Sequence, residues 1–275
     1  MRSAAPACAT GRCRMPKGIL ERRHDFSLGE LLDYERCPRY YRLKNVDKAV
    51  CPPTFNDIED ECHRRATMAA LSEQLDRRQH IDLFFGLFHQ NVHLAAQWGK
   101  RNIIAAERAA EMCITDFHLF RPQLPKMACN VENEVKLGVN IVHVVHDASC
   151  ESCVIRFKTL PSGWSRNERI DYGCSVLSAA AVGKRMYLLE FYTAKETATM
   201  RKMRVTRTVR MLGRQQTEDY AEAINMLSFP RARMSDTVCT PSGCKYYEIC
   251  RRKLNSEADV RIADGRRREI NARYQ

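Results

Sequence analysis

The sequence contains no run approaching the 18 uninterrupted apolar residues that a transmembrane helix needs. It also lacks an acidic surplus: 45 Lys and Arg stand against 33 Asp and Glu, for a formal net charge of +12. The first stretch, MRSAAPACATGRCRMPKGIL, has no acid and no long apolar core. That excludes a secretory signal and reads as a flexible basic leader, assigned to 1–25, with an organelle-transit segment as the weaker alternative. Proline is missing from 57–120, which holds only two glycines, Gly86 and Gly99. No internal repeat is present.

Each absence narrows what the chain can do. Without a membrane span or a signal, an intracellular location is expected, cytoplasmic or nucleoid-associated. Thirteen cysteines, an odd number, then argue against a full disulfide framework and for reduced thiols or metal ligands. The basic surplus favours a polyanionic partner, most simply nucleic acid, over a merely soluble basic protein. With 275 residues, 44% of them hydrophobic, the chain can bury a sizeable core as one large domain or two small ones.

The pattern of elements is helices, then strands, then a helix, then cysteines. FSLGELLDYERCPRYYRLK (26–44) reads as a short amphipathic helix with Ser27 as N-cap, broken at Pro38. Residues 57–120 are helical in pattern. NEVKLGVNIVHVV, CVIRFKTL and RMYLLEFYT are β-branched and aromatic runs separated by turn signals such as PSG. Residues 211–227 return to helix, and 251–275 form a charged helix or tail.

Near the end, VCTPSGCKYYEIC places Cys239, Cys244 and Cys250 within twelve residues, and the intervening Pro-Ser-Gly turn lets thiolates converge. Three cysteines need a fourth ligand for a tetrahedral zinc or an iron–sulfur cluster, and Cys37 in YERCPRYY is the candidate. A second pair, Cys150 and Cys153 in CESC, has no obvious partners and reads as structural thiols.

These residues resemble the RecB-like PD-(D/E)xK nuclease superfamily, in the branch that carries a four-cysteine iron–sulfur cluster: the CRISPR-adaptation exonucleases and the nuclease domain of AddB helicase–nucleases. The opening motif is FSLGELLDYERCPRYY, and the match runs over about 26–250. The resemblance implies a restriction-endonuclease-like α/β core, a central mixed sheet of four or five strands flanked by helices, with a helical insertion and a metal cluster joining the two ends. It implies a 4Fe–4S cluster on Cys37, Cys239, Cys244 and Cys250; the family's usual two-residue first gap is four residues here, TPSG, which keeps zinc open. It places a histidine on a helix at His63, a glutamate ahead of the sheet at Glu134 or Glu132, a strand-ending aspartate at Asp171 in NERIDYGCSV, the acid of an acid-x-lysine pair at Glu190, and Gln-x-x-x-Tyr at Gln216 and Tyr220.

Such a site suits phosphodiester hydrolysis. A divalent cation polarises the phosphate, and Mg²⁺ or Mn²⁺ would sit on Asp171 and Glu190, with His63 biasing toward Mn²⁺. The pattern breaks where its lysine belongs. Side chains two apart on a strand share a face, so position 192 faces the metal side, and it is Tyr192. A phenol of pKa about 10 supplies no cation. Lys195 has the wrong parity for an extended strand unless a turn after Thr193 brings it back, and Lys184 or Lys158 could project from other elements. The stretch RKMRVTRTVRMLGR offers Arg201, Lys202, Arg204, Arg207 and Arg210 to a phosphate backbone. The expected function is a metal-dependent exonuclease on single-stranded DNA ends or flaps, partnered by a helicase or a CRISPR-integration protein. The alternatives are a DNA-binding subunit of the same fold that no longer cuts, and a zinc-stapled interaction protein.

Overall fold

Residues 22–95, 103–160, 172–180, 183–203, 206–229 and 244–252 are described by the computed structural model of the chain. Among them, β1 (Asp25–Ser27) leads directly into α1 (Leu28–Arg36). Ser27 caps the helix in a reciprocal box: its hydroxyl accepts from the Glu30 amide, and the Glu30 carboxylate accepts from the Ser27 amide. Cys37 is extended, and Pro38 starts the short α2 (Pro38–Tyr41), where a missing amide costs nothing.

The helical stretch becomes α3 (Phe55–Ser72), α4 (Arg77–Asn91) and α5 (Ile103–Phe120). The strand runs become β2 (Ala128–Leu137), β3 (Asn140–Ser149), β4 (Cys153–Thr159) and β5 (Arg185–Tyr192). Between β4 and β5 lies α6 (Tyr172–Ala180), and a helical crossover of this kind makes the two strands parallel neighbours. The basic stretch divides into β6 (Thr197–Met203) and the start of α7 (Arg207–Asn225). The last described element is α8 (Tyr247–Arg252).

The six strands form one mixed sheet in the order β1-β3-β4-β5-β6, with β2 pairing β3 as an antiparallel hairpin. Two strands exceed the expected count at its lower end: β1 takes in Asp25, from the stretch read as leader, and β6 takes the first three residues of the basic stretch. One face packs on α1, α6 and α7 through Val142, Val144, Met186 and Leu188. The other packs on α3 and α5 through Ile155, Phe157, Leu189 and Phe191. Helix α4 lies outside α3 and α5, and Phe84 and Phe88 fill that seam. No helix among the described residues is long and apolar enough to cross a membrane.

Strand β3 also creates a fork. Along one edge it pairs with β2 throughout. Along the other it pairs with β1 at Ile141–His143 and with β4 only at Ala148 and Ser149. From Ala148 toward the middle of β3 the β3–β4 pairing stops, and the side chains of Asp147 and Asp60 take the next β4 amides.

Candidate functional site

Parity along the strands assigns the faces. Phe157, Leu189 and Phe191 face α3 and α5, so their neighbours Lys158 and Glu190 face the α1–α6–α7 side. Lys158 and Glu190 are in-register partners on parallel strands, and Arg156 pairs with Leu188 in the same ladder. Parallel in-register neighbours lie about 4.8 Å apart. A lysine therefore stands beside Glu190 on the adjoining strand.

Glu190 is 5% exposed. A carboxylate so buried needs compensation, and Arg201 on β6 supplies it: its Nε lies 3.1 Å from Glu190 Oε2, and its Nη2 donates to Oε1 at 3.5 Å. Tyr192 completes the group. Burial first, then the Glu190 charge that accepts its hydrogen bond, hold the phenol above its ordinary range. After Tyr192 the chain turns through Thr193–Lys195, and Glu196 takes a left-handed conformation at φ 52°. That turn brings the exposed Lys195 back over the Tyr192 ring, 5.7 Å from its centroid. Lys184 is engaged elsewhere, donating to Cys150 O at 2.7 Å and Ser149 Oγ at 3.2 Å.

Two further carboxylates sit in the fork. Asp147 Oδ2 accepts the Phe157 amide at 2.8 Å, and Asp60 Oδ1 from α3 accepts the Thr159 amide at 3.2 Å. These are β4 amides that a continuous ladder would have given to β3. Asp147 is half-buried and Asp60 exposed; partial desolvation raises both pKa values, opposed by these hydrogen bonds and by the Arg156 and Arg64 charges near Asp147. Arg156 reaches across to α6, where only a glycine, Gly173, leaves room for its guanidinium. Sequence reasoning missed this group. The legible signal was IRFKT: an aspartate on one strand and a residue-x-lysine on the next, with Arg156 in the acid's place.

The remaining expected residues are scattered. Asp171, Cys239 and Arg204 lie outside the described residues. His63 is fully buried on the opposite face of the sheet from Glu190, with its ring 4.7 Å from Phe191 and 4.6 Å from Phe84. Glu134 faces His143 across the β2–β3 hairpin at 3.4 Å, and Glu132 is exposed. Tyr220 packs against Tyr34 of α1, ring centroids 5.6 Å apart, and Gln216 lies half-buried one turn earlier on α7. Lys202 and Arg207 are exposed and Arg210 is half-buried.

Early and late segments of the described residues do meet. Tyr40 of α2 packs edge-on against Tyr246, beside α8, at 5.0 Å, and Cys37, Cys244 and Cys250 join the same apolar cluster. A fourth cysteine there was not anticipated: Cys51, which like Cys37 precedes a proline. Soft thiolate donors gathered in an apolar setting suit zinc or an iron–sulfur cluster. Among the described residues, however, no three His, Cys, Asp or Glu side chains come close enough to hold one ion. The described donors alone complete neither the cysteine site nor a Mg²⁺ or Mn²⁺ site at Glu190.

No family model and no curated protein matches the sequence. Solved structures do match by fold. One is a protein from Eubacterium rectale provisionally named an exonuclease: TM-score 0.50, 10% identity, covering 83% of this chain and 93% of that one. Another, SSO0001, covers 82% of this chain and 97% of its own at 14% identity, with a TM-score of 0.34. At such identities the first likeness shows the fold alone, a mixed α/β architecture, and the second is too low to add to it.

Proposed function

We propose that the chain is a metal-dependent DNA exonuclease of the RecB-like PD-(D/E)xK type, acting on single-stranded ends or flaps, with Lys158 in place of the lysine missing at position 192. The observation that carries this reading is the register of Lys158 with Glu190 on one face of the sheet. The motif's acid and lysine ordinarily share one strand; here they stand side by side on two, which preserves the juxtaposition of carboxylate and ammonium. A bound Mg²⁺ or Mn²⁺ would polarise the phosphate and acidify a water, with Glu190 as one carboxylate ligand and Asp171 as the other implied by the resemblance. Lys158 orients the attacking oxygen and offsets charge on the phosphate. Arg201, on the neighbouring strand, neutralises Glu190, and Lys202, Arg207 and Arg210 are the further basic residues this reading offers to a phosphate backbone. In this reading Cys37, Cys244 and Cys250, with Cys239 or Cys51, hold a 4Fe–4S cluster or zinc that joins the chain's two ends. Repair, recombination or CRISPR adaptation, with a helicase or integration partner, is the corresponding setting.

The test is cleavage of end-labelled single-stranded DNA with Mg²⁺ and with Mn²⁺. Wild-type protein should cut, and Glu190→Gln should not. A second reading, a DNA-binding subunit that no longer cuts, is favoured by the Glu190–Arg201 ion pair, which ties up the carboxylate a metal would need. Tight DNA binding with no cleavage in either metal would establish that second reading in place of the first.

A further inference from the structure

The turn between β3 and β4 holds a pair of thiols that the proposed reaction does not use. Cys150 Sγ and Cys153 Sγ are 2.9 Å apart. The Cys150 amide donates to Cys153 O at 2.8 Å, which closes the turn over Glu151 and Ser152. The two thiols differ sharply in setting. Cys153 is 2% exposed, inside the core beside Ile155. Cys150 is half-buried, next to two exposed residues, and its sulfur also lies 3.6 Å from Ser152 Oγ. Attack on a disulfide needs a reachable thiolate, and closure needs a second thiol already in contact with it. This pair meets both requirements.

We propose that Cys150 and Cys153 form a redox-active dithiol that exchanges with small-molecule disulfides. Cys150 is the attacking thiol. Its thiolate forms a bond to one sulfur of the small disulfide and expels the other as a thiolate, which takes up the proton Cys150 lost. Cys153, losing its proton in turn, attacks the Cys150 sulfur and expels the second small thiol. Two protein thiols are oxidised by two electrons, and one small disulfide is reduced to two thiols. The polarity agrees with the acidities. Burial acts to raise the Cys150 pKa, but hydrogen bonds from Cys153 and Ser152 outweigh it and leave the thiol below its ordinary value. Burial, with the Cys150 contact, pushes Cys153 up to about 12. The bond would fix the spacing of β3 and β4 at the closed end of the fork that holds Asp147 and Arg156.

The experiment uses the full chain, reduced and then incubated with oxidised glutathione. Remaining thiols are alkylated, oxidised ones are reduced and given a second label, and every cysteine is read by mass spectrometry. Cys150 and Cys153 should oxidise together and ahead of Cys129, a third thiol packed against the same core, whose sulfur lies 3.4 Å from Met68 O. Cys153→Ser should trap glutathione on Cys150, and Cys150→Ser should leave Cys153 unmodified. The proposal fails if the pair stays alkylatable together with Cys129, if Cys153 takes glutathione in the Cys150→Ser variant, or if a bound zinc that Cys150→Ser abolishes is what protects the pair. The wild-type comparison needs no substitution, so it decides the matter even if Cys153→Ser does not fold.

Discussion

A buried histidine and a half-buried aspartate pull the pH dependence of stability in opposite directions. His80 is fully buried, with Nδ1 3.3 Å from His118 Nε2 and Nε2 3.4 Å from Thr67 Oγ1. Burial, then the His118, His63 and Arg121 charges, lowers its pKa from 6.5 to about 3. Between those values the unfolded chain binds the proton and the folded chain refuses it, so stability falls as pH drops through 6.5 toward 3, by on the order of a few kcal/mol. Denaturant titrations at several pH values should show this loss, and His80→Gln should flatten it. Asp147 acts the other way. Burial raises its folded pKa above the usual carboxylate value, so the folded chain holds the proton longer and stability falls as pH rises through that window. Asp147→Asn keeps an acceptor for the Phe157 amide and removes the half-buried charge. It should therefore raise the melting temperature at neutral pH and leave it nearly unchanged at acid pH. A lower melting temperature at neutral pH would mean that the charge is compensated by Arg156 and Arg64.

Among the elements, the α6–α7 contact makes a prediction that local propensity gets backwards. Gly213 lies within α7, where alanine would favour the helix by about 1 kcal/mol. A Cβ there would sit 2.8 Å from Ser175 Cβ and 3.1 Å from the Ser175 carbonyl carbon of α6. Backbone must move, and overpacking of this kind costs about 1–3 kcal/mol. Gly213→Ala should thus destabilise on balance, and an unchanged or raised midpoint in urea would contradict the contact. Elements of this type were where the sequence was most readable. Ser27 specified one helix start, Pro38 its break, and the β-branched runs gave β2 through β5. The six-strand count was not readable, because β1 is three residues long and β6, TATMRKM, is a short run of threonines and basic residues in which only packing reveals Ala198 and Met200 as a core face. The site was half legible. Glu190 stood out as an acid ending an apolar run. Lys158 was in view only as one of three displaced lysines, with Lys195 and Lys184, because its partnership with Glu190 is created by the parallel pairing across α6, a contact between residues 32 apart.

For the whole molecule, the cysteine cluster and the charge set the expectations. Helix α2 and the segment before α8 pack together through Tyr40 and Tyr246, and metal held by cysteines there would contribute folding free energy directly. Purified protein should be brown if the cluster is iron–sulfur or hold one zinc if it is not, and Cys37→Ser or Cys250→Ser should lose solubility. Comparing Cys51→Ser with Cys239→Ser identifies the fourth ligand, because only one should release the metal. With a net charge of +12, affinity for single-stranded DNA should fall steeply between about 50 and 200 mM salt as counterions are released. A salt-independent affinity would remove the nucleic-acid reading altogether.

The central claim, that the missing lysine is supplied across the sheet by Lys158, is tested most directly by the single-turnover rate at which Lys158→Met protein cleaves labelled single-stranded DNA in Mn²⁺. If Lys158 orients the attacking oxygen, the rate should drop by about 100-fold or more with DNA affinity little changed, and adding Tyr192→Lys should restore part of it. A Lys158→Met protein that cuts at the wild-type rate would contradict the assignment, and with a Lys195→Ala protein that no longer cuts it would move the role to Lys195.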